Sequence, residues 1–383
     1  MQLNRKLEQQ IAVFGESGSG KTVLLSSFYG ATQEPQFLNA HPYNVVAEDI
    51  GQGSRLHRNF LGMREEASPP AANRFASTSY AFSMRFRGDG DVKASRRRGL
   101  DGLRLIWHDY PGEWFSQEPS SAEEGQRRVD TFRTLLSSDV AMLLVDAQLL
   151  SEHAGEEERY LRSLFANFRN GLLSLRNDIL ADNEPLVTFP RIWVIALSKC
   201  DLLPDVDVFQ FRDLLISKAC DDIHALREVI AGMVDTDGAL SVGEDFVVLS
   251  SAKFTPGHIE VNERVGVDLI FPISALLPLQ RFARWQQTLD VSKQLGARML
   301  LATADLAAAA LSDRQYSNKV LSTLMSAVLK PSLTQAADLA GQKLQEANDK
   351  ATAQGDVLRA TLTQFGLDLE QAESDRVLLR SRR

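Results

Sequence analysis

Ile11-Ala12-Val13-Phe14-Gly15-Glu16-Ser17-Gly18-Ser19-Gly20-Lys21-Thr22-Val23-Leu24-Leu25 is the stretch whose reading decides the fold. Ile11 to Phe14 form a short apolar run that reads as a buried strand, and Leu24, Leu25 and Phe28 fall at helical spacing after a Gly-rich turn. Between them, Gly15 to Thr22 matches the pattern Gly-x-x-x-x-Gly-Lys-Ser/Thr in the strand–loop–helix context it requires. The glycines let successive backbone N–H groups point inward at phosphate oxygens, and the helix N-terminus adds the positive end of its dipole. Gly15, Ser17, Gly18, Ser19 and Gly20 are therefore expected to cradle phosphates. Lys21 is expected to reach the β- and γ-phosphates, and the Thr22 hydroxyl to ligate Mg²⁺.

Working outward, the alternation Tyr80, Phe82, Met84, Phe86 reads as a strand, and Leu103 to His108 as another, together a hairpin. A helix follows around Glu123 to Leu136. Three buried apolar runs come next, Val140 to Val145, Ile192 to Leu197 and Phe246 to Leu249, separated by helical segments of which Glu156 to Leu180 is the clearest. Apolar strands alternating with helices imply an α/β, doubly wound and mostly parallel sheet, to which the hairpin contributes one antiparallel edge strand. Beyond about Ser274 strand signals vanish. The spacing of Leu295, Met299, Ala302, Leu306 and Leu311 predicts an α-helical C-terminal region, broken at Pro331. The expected organisation is a nucleotide-binding domain over residues 1–275, with insertions after the first helix and between Pro204 and Glu244, and a helical region over 276–383.

A second group must hold the metal and sense the γ-phosphate, and in an open α/β sheet it belongs at the end of a neighbouring strand. Asp109 occupies that place, and Gly112 follows three residues later, the spacing at which the family resembled below turns a Gly N–H to the γ-phosphate. Ser198-Lys199-Cys200-Asp201 follows the strand ending at Leu197. Its Asp201 carboxylate can accept from the guanine N1–H and exocyclic amine, while the Lys199 stem packs over the base. Ser250-Ser251-Ala252-Lys253 follows the strand ending at Leu249, so that Ser251, Ala252 and Lys253 can offer a backbone N–H to the guanine carbonyl oxygen.

In order and placement these motifs resemble those of the Ras-like P-loop GTPases of the translation-factor-related class, four of five signatures being recognisable between Gly15 and Lys253. Asp109-Tyr110-Pro111-Gly112-Glu113-Trp114 is similar to the signature of the YcjX-like bacterial proteins. The resemblance implies a GTP hydrolase using GTP/GDP and Mg²⁺. It puts Asp109 on the metal through water and Glu113 where Ras-like enzymes place the Gln that orients the attacking water. It also implies a switch threonine, for which Thr78 fits, with Ser77 and Thr32 as rivals. Ser198 stands in place of the usual Asn or Thr, which leaves Asp201 to carry the preference for guanine. A carboxylate at 113 can orient water but repels the developing phosphate charge, so slow intrinsic turnover is expected. Two other readings stay open: a GTP-binding scaffold without significant hydrolysis, and an ATP-dependent P-loop NTPase.

Composition narrows the rest. The 383 residues carry a formal net charge of -8, which gives no electrostatic reason to expect nucleic acid. Arg96, Arg97 and Arg98, flanked by glycines, read as a solvated loop tip. Two cysteines, Cys200 and Cys220, lack metal-ligand spacing and fit a reducing, cytoplasmic setting. His108, Trp107 and Trp114 read as packing residues. The helical C-terminal region is the expected place for a protein partner or a second copy of the chain, with peripheral membrane contact unsupported by its mixed-charge polar side.

Overall fold

The computed structural model of the chain describes residues 6–70, 78–86, 102–115, 120–180, 184–186, 190, 192–234, 240–255, 257–278, 280–281 and 357–381. In chain order the elements are β1 (Lys6–Phe14), α1 (Lys21–Ala31), α2 (Pro35–Ala40), β2 (Tyr43–Ala47), α3 (Ile50–Glu66), β3 (Thr78–Phe86) and β4 (Gly102–Asp109). There follow α4 (Ala122–Leu136), β5 (Val140–Asp146), α5 (Ala147–Glu152), α6 (Glu157–Ile179), β6 (Ile192–Ser198), α7 (Val208–Ala231) and β7 (Asp245–Val248). A small hairpin, β8 (Lys253–Thr255) and β9 (His258–Glu260), precedes a π-helical turn at Pro272–Leu276, and α8 (Val357–Ser374) and β10 (Leu378–Leu379) complete the described chain.

Eight strands form one sheet in the order β10-β7-β6-β5-β1-β4-β3-β2. β1 pairs in parallel with both β4 and β5, and β5, β6 and β7 continue the parallel run. The expected hairpin is the antiparallel β3–β4 pair. Two strands that the sequence did not signal lie at the margins: β2, antiparallel to β3, and β10, antiparallel to β7. β10 is two residues long, too short for alternation to show.

The parallel strands are covered on both faces, and β1 shows why. Ile11 and Val13 enter one core and Ala12 and Phe14 the other, all fully buried, as the two-residue period of a strand demands. On the first face Phe28 of α1 lies 5.7 Å from Trp107 and 5.2 Å from Phe271. On the second, Phe14 stacks on Trp193 at 5.7 Å and meets Phe168 of α6 edge-on at 5.0 Å. β5 and β6 are buried along their whole length, which explains their unbroken apolar sequences. The segment read as an insertion between Pro204 and Glu244 contains α7, which starts with a full capping box at Asp207 and Gln210.

The C-terminal elements close on the same sheet. The Phe365 ring of α8 stacks on Phe271 at 6.4 Å. Asp245 of β7 forms a buried ion pair with Arg281 and accepts from Ser381 N–H at 2.9 Å. No helix among the described residues is long and apolar enough to cross a membrane. Leu295 to Leu311, Pro331, Arg96 to Arg98 and Ser77 lie outside the described residues.

Candidate functional site

The phosphate loop leaves β1 at the C-terminal edge of the sheet. Gly18 and Gly20 take φ of 85° and 90°, a region where a Cβ is strained. Gly20 is also the N-cap of α1, with no side chain capping the first N–H groups, so those donors face the loop interior. Lys21 Nζ donates to the carbonyls of Gly15 at 2.7 Å and Glu16 at 3.1 Å, and it lies 5.2 Å from the Tyr110 ring centroid. Burial pulls its ammonium down to about 8, against the opposing pull of Asp109, Glu113 and Glu16. A lysine so desolvated gains from an anion placed beside it.

The end of β4 braces this loop. The buried Tyr110 hydroxyl accepts from Gly15 N–H at 2.9 Å. Gly112 lies so near the loop that a Cβ there would stand 2.3 Å from Ser17 N and 2.7 Å from Ser17 Cα. Only glycine permits that approach. Ser17 Oγ donates to Glu113 Oε1 at 2.7 Å. Asp109 is buried at the strand end, and Thr78 stands opposite it in the β3–β4 register. The rival Thr32 is buried and donates to the Tyr29 carbonyl at 2.7 Å, closing the end of α1.

Next to Asp109, His108 accepts or donates within the sheet, to Ser79 Oγ at 2.9 Å and Gln10 Oε1 at 3.2 Å. Burial holds its imidazole down at about 4, and it is neutral. Trp107 is fully buried in the core, and Trp114 carries the Arg128 guanidinium 5.7 Å from its ring.

Along the cleft, the ends of β5, β6 and β7 supply a second group of side chains. Lys199 adopts φ 56° and its Nζ donates to Asp146 Oδ2 at 2.7 Å and Gln148 Oε1 at 2.9 Å. Ser198 Oγ donates to the Val145 carbonyl at 3.2 Å. Asp201 Oδ2 accepts from Phe254 N–H at 3.2 Å, and the Ser250 hydroxyl lies 2.7 Å from Asp201 Oδ1 and 2.5 Å from the Ala252 carbonyl. Ser27 Oγ of α1 donates to the Ser251 carbonyl at 2.6 Å, joining this group to the helix that follows the phosphate loop.

Two cavities run through these groups. A cavity of about 530 Å³ is lined by Lys199, Asp201, Ser251 and Phe254 together with aliphatic side chains, and a smaller one of about 140 Å³ by Ser17 to Val23, Tyr110 and Gly112. Gly18, Ser19, Gly20 and Val23 line both, and Pro69 and Pro70 lie one over each.

Of the residues expected from sequence, the phosphate loop, Gly112, Lys199, Asp201 and Ser251 are brought to this cleft. The Lys253 side chain pairs with Glu263 at 2.9 Å, and Ala252 is buried beside Ile259 and Val261; neither lines either of these two cavities. Tyr110, Asp146, Gln148, Pro69 and Phe254 were not singled out for the site. Tyr110 stood inside a quoted motif, but its hydroxyl contact spans 95 positions in the chain, and the others carry no local signal.

Residues 9–182 match the model of the family described as Double-GTPase 2. The match is under half of the chain; it takes in the phosphate loop and the Asp109–Glu113 segment and ends ahead of Lys199. It supports a P-loop GTPase domain in this part of the chain, and its description names neither the translation-factor-related class nor the YcjX-like group. No curated protein matches the chain. Among solved structures the chain is similar to a nucleolar GTP-binding protein 1 of Plasmodium falciparum, at 13% identity and a TM-score of 0.31, covering 75% of this chain and 93% of that one. It is also similar to a Roco2 protein of Methanosarcina barkeri bound to GDP, at 11% identity and a TM-score of 0.22, covering 85% and 67%. A chain of a bacterial dynamin pair gives 16% identity and a TM-score of 0.28, covering 97% of this chain and 60% of that one.

Proposed function

We propose that the cleft binds GTP with Mg²⁺ and hydrolyses it slowly to GDP and phosphate, the bound nucleotide biasing a two-state switch. The observation that carries this reading is that two neighbouring cavities share Gly18, Ser19 and Gly20 in their walls, with Lys21 lining one and Asp201 the other. A nucleotide has the same polarity, anionic at one end and an aromatic base at the other. Asp201 keeps lone pairs to spare beside its bonds from Phe254 N–H and Ser250. Guanine offers two adjacent donors to such a carboxylate; adenine does not, which argues against an ATP-dependent machine.

The donors Thr22, Thr78 and Asp109 are hard oxygen groups of the kind Mg²⁺ takes together with phosphate oxygens. When bound, the ion would neutralise charge between the β- and γ-phosphates. Lys21 adds a cation on the same side, and Gly112 brings its N–H to the loop. Glu113 is the group placed to orient water, and its charge opposes the developing negative charge of the transferred phosphoryl group.

A second reading, a GTP-binding scaffold without significant hydrolysis, is favoured by one observation: Glu113 is engaged by Ser17 Oγ at 2.7 Å. In either reading residues 1–275 act as the nucleotide domain in the cytoplasm, with α8 and β10 completing its core and sheet, and the rest of 276–383 engages a protein partner or a second copy.

Displacement of labelled GTP by GTP, GDP and ATP, with phosphate release recorded in the same reactions, tests these readings. GTP and GDP are expected to compete at least about a hundredfold better than ATP, as buried hydrogen-bond readout of a ring edge allows. Equal competition by ATP would overturn the guanine assignment. Absence of phosphate release, alone and with a partner, would leave the scaffold.

A further inference from the structure

We propose that Phe254 is the stacking platform of the nucleobase, facing the stem of Lys199 across the larger cavity; the inference rests on the nucleotide reading above. Among the described residues lining that cavity Phe254 is the aromatic one, the other apolar walls being Val23, Leu24, Pro69, Leu144, Leu202 and Leu249. An aliphatic wall excludes water from a base but offers no π-face to it.

The sheet order sets the two sides of the clamp. Lys199 follows β6, and its bonds to Asp146 and Gln148 draw its stem toward β5. Phe254 follows β7, on the other flank of β6. Asp201, in the turn that follows Lys199, is bonded to Phe254 N–H at 3.2 Å. One backbone bond thus ties the residue that would stack on the base to the carboxylate that would read its edge.

The ring is also held before any ligand arrives. Phe254 is half-buried and packs against the cluster of Phe60, Met63, Ala252, Ile259 and Val261. It is paired in register with Ile259 in the β8–β9 hairpin. A platform braced in this way loses little rotamer freedom on binding. Base–aromatic stacking is tolerant of base identity and is worth a factor of about 5 to 150 in affinity. Phe254 therefore sets how tightly a nucleotide is held, and Asp201 which one.

The test uses the full chain and the variants Phe254→Ala, Phe254→Leu and Phe254→Tyr, all of which keep the backbone N–H that Asp201 needs. The dissociation constants of GTP and ATP are measured by calorimetry, with thermal midpoints recorded alongside. Leu preserves the packing on Phe60 and Ile259 but has no ring face, so Phe254→Leu is expected to weaken GTP by about 5-fold or more with an unchanged midpoint. Phe254→Ala should weaken it at least as much. Phe254→Tyr should bind within about twofold of wild type, and the ratio of GTP to ATP affinity should stay constant throughout. Wild-type affinity in Phe254→Leu would overturn the platform. If the wild-type chain prefers ATP, the guanine reading fails on its own. The same variants read with ATP then decide the platform by the same criterion.

Discussion

The two halves of the proposed nucleotide cleft are built from different material. The phosphate half is backbone: glycines at positive φ, N–H groups at the start of α1, and Gly112 pressed against the Ser17 backbone. The base half is side chains holding one another, Lys199 on Asp146 and Gln148, Asp201 on Ser250 and the Phe254 N–H. A backbone cradle reads charge and shape and is blind to the base. A side-chain array can be edited one bond at a time.

The sharpest way to break this contrast is Lys21→Ala. It removes a buried cation of the phosphate half and is expected to cost about 3–5 kcal/mol of triphosphate binding, equally for GTP and ATP. Near wild-type binding by calorimetry would mean that the loop does not hold phosphate at all. Asp201→Asn attacks the other half. GTP should lose about 3 kcal/mol and xanthosine triphosphate should gain, while ATP is unmoved. Losses shared by all three nucleotides would show that Asp201 only supports the fold.

Gly112→Ala places a Cβ against Ser17 backbone that cannot swing away. Overpacking of this kind costs about 1–3 kcal/mol, and the loss should appear for GDP, GTP and ATP alike. A loss confined to GTP would move the role of Gly112 from the loop to the γ-phosphate.

Asp139, at the opposite ends of the strands, supplies a control outside both halves. It is half-buried, accepts from Gln10 N–H at 2.7 Å, and desolvation lifts its carboxyl to about 7. Between about pH 4 and pH 7 the unfolded chain releases this proton while the folded chain keeps it, so the contribution to stability falls as pH rises through that window. Asp139→Asn should flatten the pH dependence of the thermal midpoint by a few degrees between about pH 5 and pH 8 and leave nucleotide affinity alone. The smallest effect is expected from Ser250→Ala, about 1 kcal/mol of GTP affinity from a loosened Asp201, with ATP unchanged.

Much of this was legible because the phosphate half is local. Gly15 to Thr22 carries its motif in consecutive residues, β3 announces itself by alternation, and β1, β5, β6 and β7 by unbroken apolar runs. The places of Asp109 at the end of β4 and of Asp201 just after β6 were legible because the strands that carry them were. Position after a strand does not say which way a side chain turns: the Lys253 side chain, in the β8–β9 hairpin, pairs with Glu263.

By itself, the sequence determined the phosphate loop, the alternation of strands and helices, and the placing of carboxylates at strand ends, since each depends on residues within one or two elements. Only the tertiary structure decided that Tyr110 braces Gly15, that position 112 must be glycine, that Asp146 holds Lys199, and that Phe254 comes to the cavity. Each of those contacts joins positions about 50 or more residues apart. Periodicity and propensity act over a few residues, and the packing of distant strands is what brings such pairs within bonding distance.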